Sequence, residues 1–383
     1  MLRSLALFLA LALSISAEVR VGAPRVVHTL DIRPANADSL AIAAGGGTRL
    51  VIWSEGKDMF VARAGSDWTL IANTREQLPH LTREPLLQSL QPSVAWSGSM
   101  FLIVWTERRS YAMGSDKLER VAVRYDPATG VVEREPLFLG WTAGPAVPQQ
   151  PVWDGRNFVL AGDFDTRTIS TAGVLSPARR LFLFQVASTG RPNEPLFVSK
   201  QPQFACTDVS CTRSEGVAPM LIDDYVEFPQ PGTVTATSTI ITNAAAAAGD
   251  DGYVIAMRDG AAIVTAGYDR LLTRRGVTRQ ITRYPDNTTP RLAYDGRQFL
   301  LIWSDSDAAG RPTVNASTIN TRGELAPELV EIGAGAVSPS LAELAPGRYA
   351  VAYLSTAGSQ VQIVVRPVDT IAPPPPSRTR ASR

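Results

Sequence analysis

Apolar residues in this chain recur in short runs separated by turn signals, and the clearest example is a single hairpin. A first run from Pro92 to Trp96 reads PSVAW, a turn SGSM follows, and a second run from Phe101 to Trp105 reads FLIVW. β-Branched and aromatic residues favour strands, whereas a short Ser- and Gly-containing segment favours a turn. The segment therefore predicts two antiparallel strands joined by a tight turn.

The same pattern returns at intervals of about 50 residues, which is the length of one β-propeller blade. The seven positions equivalent to the end of that second run are Trp53, Trp105, Gly162, Glu215, Met257, Trp303 and Tyr353. Each interval has room for four short strands, so the sequence predicts an all-β, seven-bladed β-propeller. The copy at Glu215 is placed by forced alignment. If it is not a blade, the alternative is a six-bladed ring with an insertion.

The last copy lacks one strand of its expected four. A closed ring needs every blade to be complete, because an open sheet edge exposes unpaired backbone groups. Residues 25–30, which read RVVHTL, form a β-run that precedes the first copy. We therefore expect this N-terminal strand to close the last blade.

The repeated hairpin resembles that of secreted bacterial β-propellers, which carry the pattern P-x-V-A-W-x-G-x-x-F-L-V-V-W. This resemblance covers nearly the whole mature chain and implies the fold, but it implies no activity because propellers host many unrelated functions. The chain departs from the sialidase pattern, since it has no recurring Ser-x-Asp-x-Gly-x-Thr-Trp box. It also lacks the Gly-His and Trp-Asp signature of WD40 blades.

Both ends of the chain differ from the repeat. Residues 1–17 combine a positive start, a short apolar run and a small-residue end, which is typical of a cleavable signal peptide. The alternative is a membrane anchor, but the run is shorter than the ~20 residues that a spanning helix needs, and no later segment is long enough either. We expect a secreted or periplasmic protein, with one propeller domain over residues 18–370 and a disordered Pro- and Arg-rich tail over residues 371–383.

The charges of the chain are nearly balanced. There are 37 basic and 36 acidic residues, which gives a formal net charge of +1. Such a chain has no long-range field to attract nucleic acid or an anionic membrane. A protein or a glycan is therefore the expected partner, and the oligomeric state is left open.

Two cysteines, Cys206 and Cys211, are the only ones in the chain. In the repeat alignment they take the places of Trp96 and Phe101, on either side of a hairpin turn. Cβ atoms at such paired positions lie about 4.5–5.5 Å apart, near the reach of a disulfide, and export favours oxidation. We therefore predict a structural disulfide.

Acidic residues recur two positions beyond the repeat marker and are the candidate ligand-binding set. They are Glu55, Glu107, Asp259 and Asp305, with Asp163 and Asp165 on either side of the same place in the third copy. Because the turns between second and third strands share one face of a propeller, these carboxylates are expected on one face. There they could hold Ca²⁺, bind a cationic partner, or supply an acid/base pair. The alternative is that Asp and Glu end strands because they favour turns, with Arg108 and Arg109 neutralising them.

The remaining candidate residues are aromatic side chains and histidines. Trp residues at fixed repeat positions are predicted to pack between sheets; they are Trp53, Trp96, Trp105, Trp153 and Trp303. Trp68 and Trp141 fall outside those positions and are candidates for exposed contacts. His28 and His80 lie beside no Gly-x-Ser-x-Gly turn, so the sequence contains no catalytic triad signature. We predict a non-enzymatic exported module that binds protein or glycan, or has a structural role. The alternative is a secreted carbohydrate- or lactone-directed hydrolase or lyase.

Overall fold

Strands make up all the regular structure in the described part of the chain. The computed structural model describes residues 18–371, except 33, 35–37, 112–114, 143–150, 162–164, 178, 181–182, 188–195, 207–210, 222–233, 238–240, 260–261, 270–273 and 282–289. Within these residues there are 30 strands and no helix. The predicted all-β fold class is confirmed.

Two strands precede the first sheet, β1 (Glu18–Val21) and β2 (Arg25–Leu30). Sheet 1 contains β3 (Leu40–Gly45), β4 (Thr48–Glu55), β5 (Asp58–Ala64) and β6 (Glu76–Gln77). Sheet 2 contains β7 (Leu86–Trp96), β8 (Phe101–Tyr111), β9 (Ser115–Asp126), β10 (Gly130–Val131) and β11 (Leu137–Thr142). Sheet 3 contains β12 (Val152–Trp153), β13 (Asn157–Ala161), β14 (Asp165–Ser170) and β15 (Arg179–Arg180).

Four further sheets follow in chain order. Sheet 4 contains β16 (Leu183–Ala187), β17 (Leu196–Cys206), β18 (Cys211–Leu221) and β19 (Val234–Thr237). Sheet 5 contains β20 (Ile241–Gly249), β21 (Gly252–Asp259), β22 (Ala262–Asp269) and β23 (Arg274–Ile281). Sheet 6 contains β24 (Arg291–Tyr294), β25 (Phe299–Ser306), β26 (Pro312–Ile319) and β27 (Val330–Ala334). Sheet 7 contains β28 (Ala336–Ala345), β29 (Arg348–Ala357) and β30 (Gln360–Ile371), together with β1 and β2.

Neighbouring strands within a sheet follow the order of the chain, except that β1 and β2 pair with β30 and β11 pairs with β9. The pairings are antiparallel except that of β18 with β19, which is parallel. Consecutive sheets contact one another, and β28 of sheet 7 contacts β3 of sheet 1. Five of these sheets have four strands and two have five, and this succession of sheets is the one the repeat predicts. The number of blades in a closed ring stays a prediction.

The N-terminal strand completes sheet 7, as the sequence predicts. β2 pairs antiparallel with β30, with Leu30 opposite Val361. β1, which was not predicted, pairs with the other end of β30 and places Glu18 opposite Ile371. Both N-terminal strands therefore pair with the C-terminal strand β30 and cover its backbone edge.

The side chains of a second strand pack in two different cores, one on each face of its sheet. This explains why such a strand is apolar on both faces. Leu50 and Ile52 of β4 pack with core residues of sheet 2, whereas Val51 and Trp53 pack with core residues of sheet 7. Successive side chains of a strand point to opposite faces, so a sheet buried on both faces needs a continuous apolar run. The stretch LVIW is therefore required by its position between two neighbouring sheets.

The two cysteines lie opposite each other but not in the predicted hairpin. Cys206 ends β17 and pairs in register with Cys211, which begins β18. These are the second and third strands of sheet 4, whereas the alignment placed the cysteines between the first and second strands. The difference arises because this copy lacks the aromatic pattern, so its predicted position rests on the spacing and on the cysteines themselves. The cysteine side chains lie outside the described ones, so the disulfide stays a prediction.

No helix in the described part of the chain is long and apolar enough to cross a membrane.

Candidate functional site

Glu55, the first of the predicted acidic residues, lies between sheets 1 and 7. It is two residues beyond Trp53, so both side chains point from β4 toward sheet 7. Its carboxylate accepts hydrogen bonds from the Asp31 backbone N–H at 2.6 Å and from Trp53 Nε1 at 3.2 Å. It also pairs with Arg75 Nη2 at 2.9 Å. Glu55 is only 6% exposed, so both of its oxygens are used within the fold.

Glu107 occupies the equivalent interface between sheets 2 and 1. Its side chain is fully buried, and its oxygens contact His80 Nδ1 at 3.2 Å and Arg109 Nε at 2.9 Å. The other ring nitrogen of His80 lies 3.0 Å from Oδ1 of Asp58, at the start of β5. His80 therefore links a carboxylate of sheet 1 to a carboxylate of sheet 2.

A second fully buried glutamate, Glu119, lies directly opposite Glu107 on β9. Arg109 pairs with both carboxylates, since its Nε also lies 3.3 Å from Oε2 of Glu119. Tyr111 donates its hydroxyl hydrogen bond to Glu119, and Arg109 also donates to the backbone carbonyl of Glu84. Two buried carboxylates this close need a shared cation, because an uncompensated buried charge is strongly unfavourable.

The other predicted acidic residues are distributed over further sheets. Asp305 is 7% exposed, lies on the same side of β25 as Trp303, and accepts a hydrogen bond from the Ser306 N–H at 2.8 Å. Asp165 begins β14 opposite Arg180, and Asp259 ends β21 opposite Ala262. The side chains of Asp165 and Asp259 are not among those described, and Asp163 lies outside the described residues.

The structure therefore does not bring the described members of this set to one ligand. Glu55, Glu107 and Asp305 each point into the interface on one side of their own sheet, beside the Trp two residues earlier. Across the residues that the structure describes, no group of three or more His, Cys, Asp or Glu side chains could hold a metal ion. The sequence contains the signal for this arrangement, because a spacing of two places the acid on the face of the interface tryptophan.

A concave site is instead formed where the first strands of sheets 7, 1 and 2 end. The cavity measures about 380 Å³. Its lining comes from β3, β7 and β28 and comprises Ile42, Ala43, Ala44, Val94, Trp96, Leu341, Ala342, Glu343, Leu344 and Ala345. In each of these three sheets the first strand pairs on one side only, so its other backbone edge is turned toward neighbouring first strands.

One wall of this cavity is the indole ring of Trp96, which lies over the end of β3. A Cβ atom on Gly45 would lie 2.3 Å from Cγ of Trp96, and one on Gly46 would lie 2.8 Å from Cζ2. The ring also packs against Phe101, with ring centroids 4.4 Å apart. Only glycine at the end of β3 leaves room for this aromatic side chain.

Among the described residues that line this cavity, Glu343 is the one titratable group. The residue as a whole is exposed to solvent, but its carboxyl group is partly buried. This burial raises the pKa of Glu343, and the nearby charge of Asp295 raises it further. Tyr349 lies directly opposite it on β29, with a buried hydroxyl that finds no partner among the described protein groups. Asp295 accepts hydrogen bonds from the N–H groups of Arg297 and Gln298, both at 2.8 Å.

The predicted burial of three repeat tryptophans and the exposure of Trp141 are confirmed, Trp96 and Trp153 are partly buried, and one assignment is corrected. Trp53, Trp105 and Trp303 are at most 1% exposed and lie in cores between sheets. Trp141 is 47% exposed, as expected for a contact residue. Trp68, however, is only 5% exposed. It packs in the core between sheets 1 and 7 with Arg49 over its ring at 5.2 Å, so its assignment as an exposed contact was wrong.

Comparison with known proteins gives no family for this chain. No family model matches it, and no curated protein matches it. Among solved structures, a protein of unknown function from Dyadobacter fermentans has a TM-score of 0.49 at 11% identity and covers 91% of this chain and 99% of its own. A Hadza microbial sialidase has a TM-score of 0.45 at 13% identity, with 86% and 64% covered. The GH43_1 enzyme from Xanthomonas citri, complexed with xylotriose, has a TM-score of 0.36 at 12% identity, with 92% and 93% covered. Likenesses this distant carry no argument about the activity of this chain.

The cavity and Glu343 were missed by the sequence reasoning. The three contributing segments, 42–44, 94–96 and 341–345, are far apart in the chain, and none carries a local motif. One signal was present, because Trp96 ends a first strand in the repeat and Gly45 ends the first strand of the preceding copy. That pairing recurs between Gly249 and Tyr294, where a Cβ on the glycine would lie 2.9 Å from the tyrosine ring.

Proposed function

We propose that this chain is an exported β-propeller that binds a glycan in the cavity between the first strands of sheets 7, 1 and 2. The observation that carries the proposal is the cavity itself, which combines an aromatic wall, Trp96, with one carboxyl group, Glu343. A volume of about 380 Å³ lies within the range of small-molecule sites. It suits one or two sugar rings rather than a protein surface.

Carbohydrates present two kinds of surface, and the cavity offers a counterpart to each. The C–H face of a sugar ring is apolar and stacks on aromatic rings, a role that Trp96 would take. Sugar hydroxyls need donors and acceptors, which the carboxyl of Glu343 and the remaining backbone groups at the edges of β3, β7 and β28 would supply. The N–H of Ile42 on β3 already donates to Oγ of Ser340 at 3.0 Å. The ligand would therefore be a neutral, hydroxyl-rich molecule.

The burial of the predicted acidic residues and their pairing with arginines support a ligand site in the cavity instead. Glu55 and Glu107 are 6% and 0% exposed, and each is already paired with an arginine. A carboxylate with no accessible surface and satisfied oxygens has little to offer a substrate. These two residues would therefore stabilise the interfaces between sheets instead of binding a ligand.

A second candidate function is glycoside hydrolysis at the same cavity. The observation that favours it is the raised pKa of Glu343, caused by burial and by Asp295, since a general acid must hold its proton near working pH. Asp295 would be the second carboxylate of such a pair. Against this role, Asp295 already accepts two turn N–H groups and the hydroxyl of Thr370 at 2.6 Å.

The experiment that tests the proposal is a glycan array with the purified mature chain, followed by titration calorimetry with the best ligand. We expect Glu343→Gln to weaken binding by about tenfold, because it replaces a charge-assisted hydrogen bond by a neutral one. We expect Trp96→Phe to weaken it as well while keeping the ring on Gly45. Glu331→Gln, on the outer strand β27, is the matched control and should bind as the wild type does.

The same proteins separate binding from catalysis. Incubation with the bound oligosaccharide and a reducing-end assay should show no product if the protein only binds. Product from wild type, with a loss of about 10² or more in Glu343→Gln, would instead establish hydrolysis. If no glycan binds, or if Glu343→Gln and Trp96→Phe bind like Glu331→Gln, the cavity is not the ligand site.

A further inference from the structure

The hairpin formed by β8 and β9 in sheet 2 extends beyond the neighbouring sheet 1. These strands have 11 and 12 residues, whereas β4 and β5 have 8 and 7. Asp58, at the end of sheet 1, reaches Glu107 through His80, so Glu107 marks the level at which sheet 1 ends. The residues of the hairpin beyond this level have no neighbouring strand of sheet 1 on that face.

Aromatic side chains occupy this projecting face. Trp141 on β11 is 47% exposed and lies opposite Glu119. Its ring centroid is 5.4 Å from that of Tyr111 and 5.6 Å from that of Phe138, both in edge-to-face geometry. We call these three side chains, with Lys117 and Arg83, the Trp141 platform. A large exposed indole held by two other rings is a preorganised stacking surface.

A buried hydrogen-bond partner holds the side chain of Tyr111 in place. Its hydroxyl donates a hydrogen bond to the buried carboxylate of Glu119. Burial, and then this contact, raise the pKa of Tyr111 to about 12, so the phenol keeps its proton at neutral pH. The ring therefore presents a rigid edge to Trp141.

Two cations that solvent can reach lie beside the aromatic rings. One of them, Arg83, is 3.8 Å from the buried carboxylate of Glu119 and interacts with the exposed carboxylate of Glu135. Lys117 Nζ lies 4.7 Å from the Tyr111 ring and 4.8 Å from the Trp141 ring. Arg83, whose side chain is 44% exposed, lies 4.5 Å from the Phe138 ring. The carboxylates of Glu107 and Glu119 are fully buried beneath them. A ligand would therefore meet an indole face bordered by two cations.

We propose that the Trp141 platform binds an acidic sugar, a glycan residue carrying a carboxylate such as a uronic acid. The sugar ring would stack on Trp141, and its carboxylate would pair with Lys117 and Arg83, since Arg and Lys are the side chains that recognise carboxylates. Stacking alone would accept any sugar, and the two cations give the preference for an acidic one. This site shares no residue with the cavity at Trp96 and Glu343.

The test is titration of the mature chain with a galacturonic acid trisaccharide and with the corresponding neutral galactose trisaccharide. We expect the acidic trisaccharide to bind more tightly, and Trp141→Ala to weaken it by about tenfold, as truncation of a central aromatic contact does. Lys117→Gln should reduce the preference for the acidic over the neutral sugar. Val174→Ala, at a residue that is 68% exposed in the loop after β14, is the control.

Further measurements distinguish loss of binding at the Trp141 platform from loss of the fold and from binding in the cavity. Thermal unfolding of each variant should match wild type within the spread of the Val174→Ala control, since Trp141 and Lys117 lie on the surface. Glu343→Gln should leave the Trp141-dependent binding unchanged, which separates this proposal from the one for the cavity. Equal Trp141-dependent binding of both trisaccharides, or no loss in Trp141→Ala, would overturn the proposal. So would a glutamate-rich peptide that binds through Trp141 more tightly than the sugar, because the partner would then be a protein.

Discussion

The indole ring of Trp96 occupies the space that a side chain on Gly45 would need. A Cβ atom there would lie 2.3 Å from Cγ of Trp96, closer than any stable contact. Gly45 ends the first strand of sheet 1, and Trp96 ends the first strand of sheet 2. This relationship fixes how the two sheets meet and also forms a wall of the proposed binding cavity.

We expect Gly45→Ala to destabilise the protein by about 3 kcal/mol, because the added methyl overpacks the contact with Trp96. Gly47→Ala in the same turn is the control. Nothing lies within 4 Å of its Cβ position, so its cost of about 1 kcal/mol comes from its positive φ of 77° alone. Urea unfolding of both variants measures the difference.

A double mutant assigns that loss to the contact. In the Trp96→Ala background, Gly45→Ala should lose much less stability than in wild type, since the clash is gone. A Gly45→Ala variant as stable as Gly47→Ala would show that Trp96 does not rest on this glycine.

Arg109 and its neighbour Arg108 provide a second contrast. Arg109 is 1% exposed and pairs with both Glu107 and Glu119. We expect Arg109→Met to cost about 3–5 kcal/mol, because it removes the buried cation between these two carboxylates. Only the contacts of Glu107 with His80 and of Glu119 with Arg83 would remain. The side chain of Arg108 is 48% exposed and pairs with Asp116 on the surface, so Arg108→Met should cost less than about 1 kcal/mol. Chemical unfolding of the two variants gives the answer, and equal losses would contradict a structural role for the buried cluster.

Stability should fall in mild acid because of His28. Its ring packs 5.1 Å from that of Trp53, and burial lowers its pKa below the usual 6.5, with Arg75 lowering it further and Glu55 and Asp31 opposing. The folded state therefore binds the proton less readily than the unfolded chain. The contribution of His28 is fully present above pH 6.5 and is lost as the pH falls below that value.

The variant His28→Phe isolates this effect. Its unfolding free energy should decline less than that of wild type between pH 7 and pH 5, as measured by urea unfolding across that range. Parallel curves for the two proteins would mean that protonation of His28 is not opposed by the fold.

Removal of the N-terminal strands tests the completion of sheet 7. A chain that starts at residue 31 lacks β2 and exposes the edge of β30, so its thermal midpoint should fall by about 5 °C or more. A chain that starts at residue 23 lacks only β1 and keeps Leu30, which is 5% exposed, in the core. The thermal midpoint of this chain should fall by less than that of the chain that starts at residue 31. Equal midpoints for all three chains would contradict the role of β2.

The strands themselves could be read from sequence because their signals are local. Phe101 to Trp105 is a β-run after a Ser/Gly turn, and the structure buries each of these residues. The closing strand was also predictable, since the last copy lacked a strand and residues 25–30 were unassigned. Copy four was misplaced because Cys206 and Cys211 replace the aromatic residues that define the pattern.

The direction of the acidic residues could have been predicted but was not. Their place near a turn does not determine their direction, whereas the spacing of two from Trp53 and Trp105 decides which face they share. The cavity is a different case. It depends on strands from three sheets meeting, as Ala44, Trp96 and Glu343 do, and such long-range contacts leave no periodic signal in the sequence.

The central claim is that a ligand binds at Trp96 and Glu343 and not at the acidic residues near the second-to-third-strand turns. A crystal structure of the mature chain with the oligosaccharide selected on the array tests it most directly. The account predicts a sugar ring stacked on Trp96 with a hydroxyl bonded to Glu343. Sugar bound instead beside Glu55, Glu107 or Asp305, with the cavity empty, would contradict it.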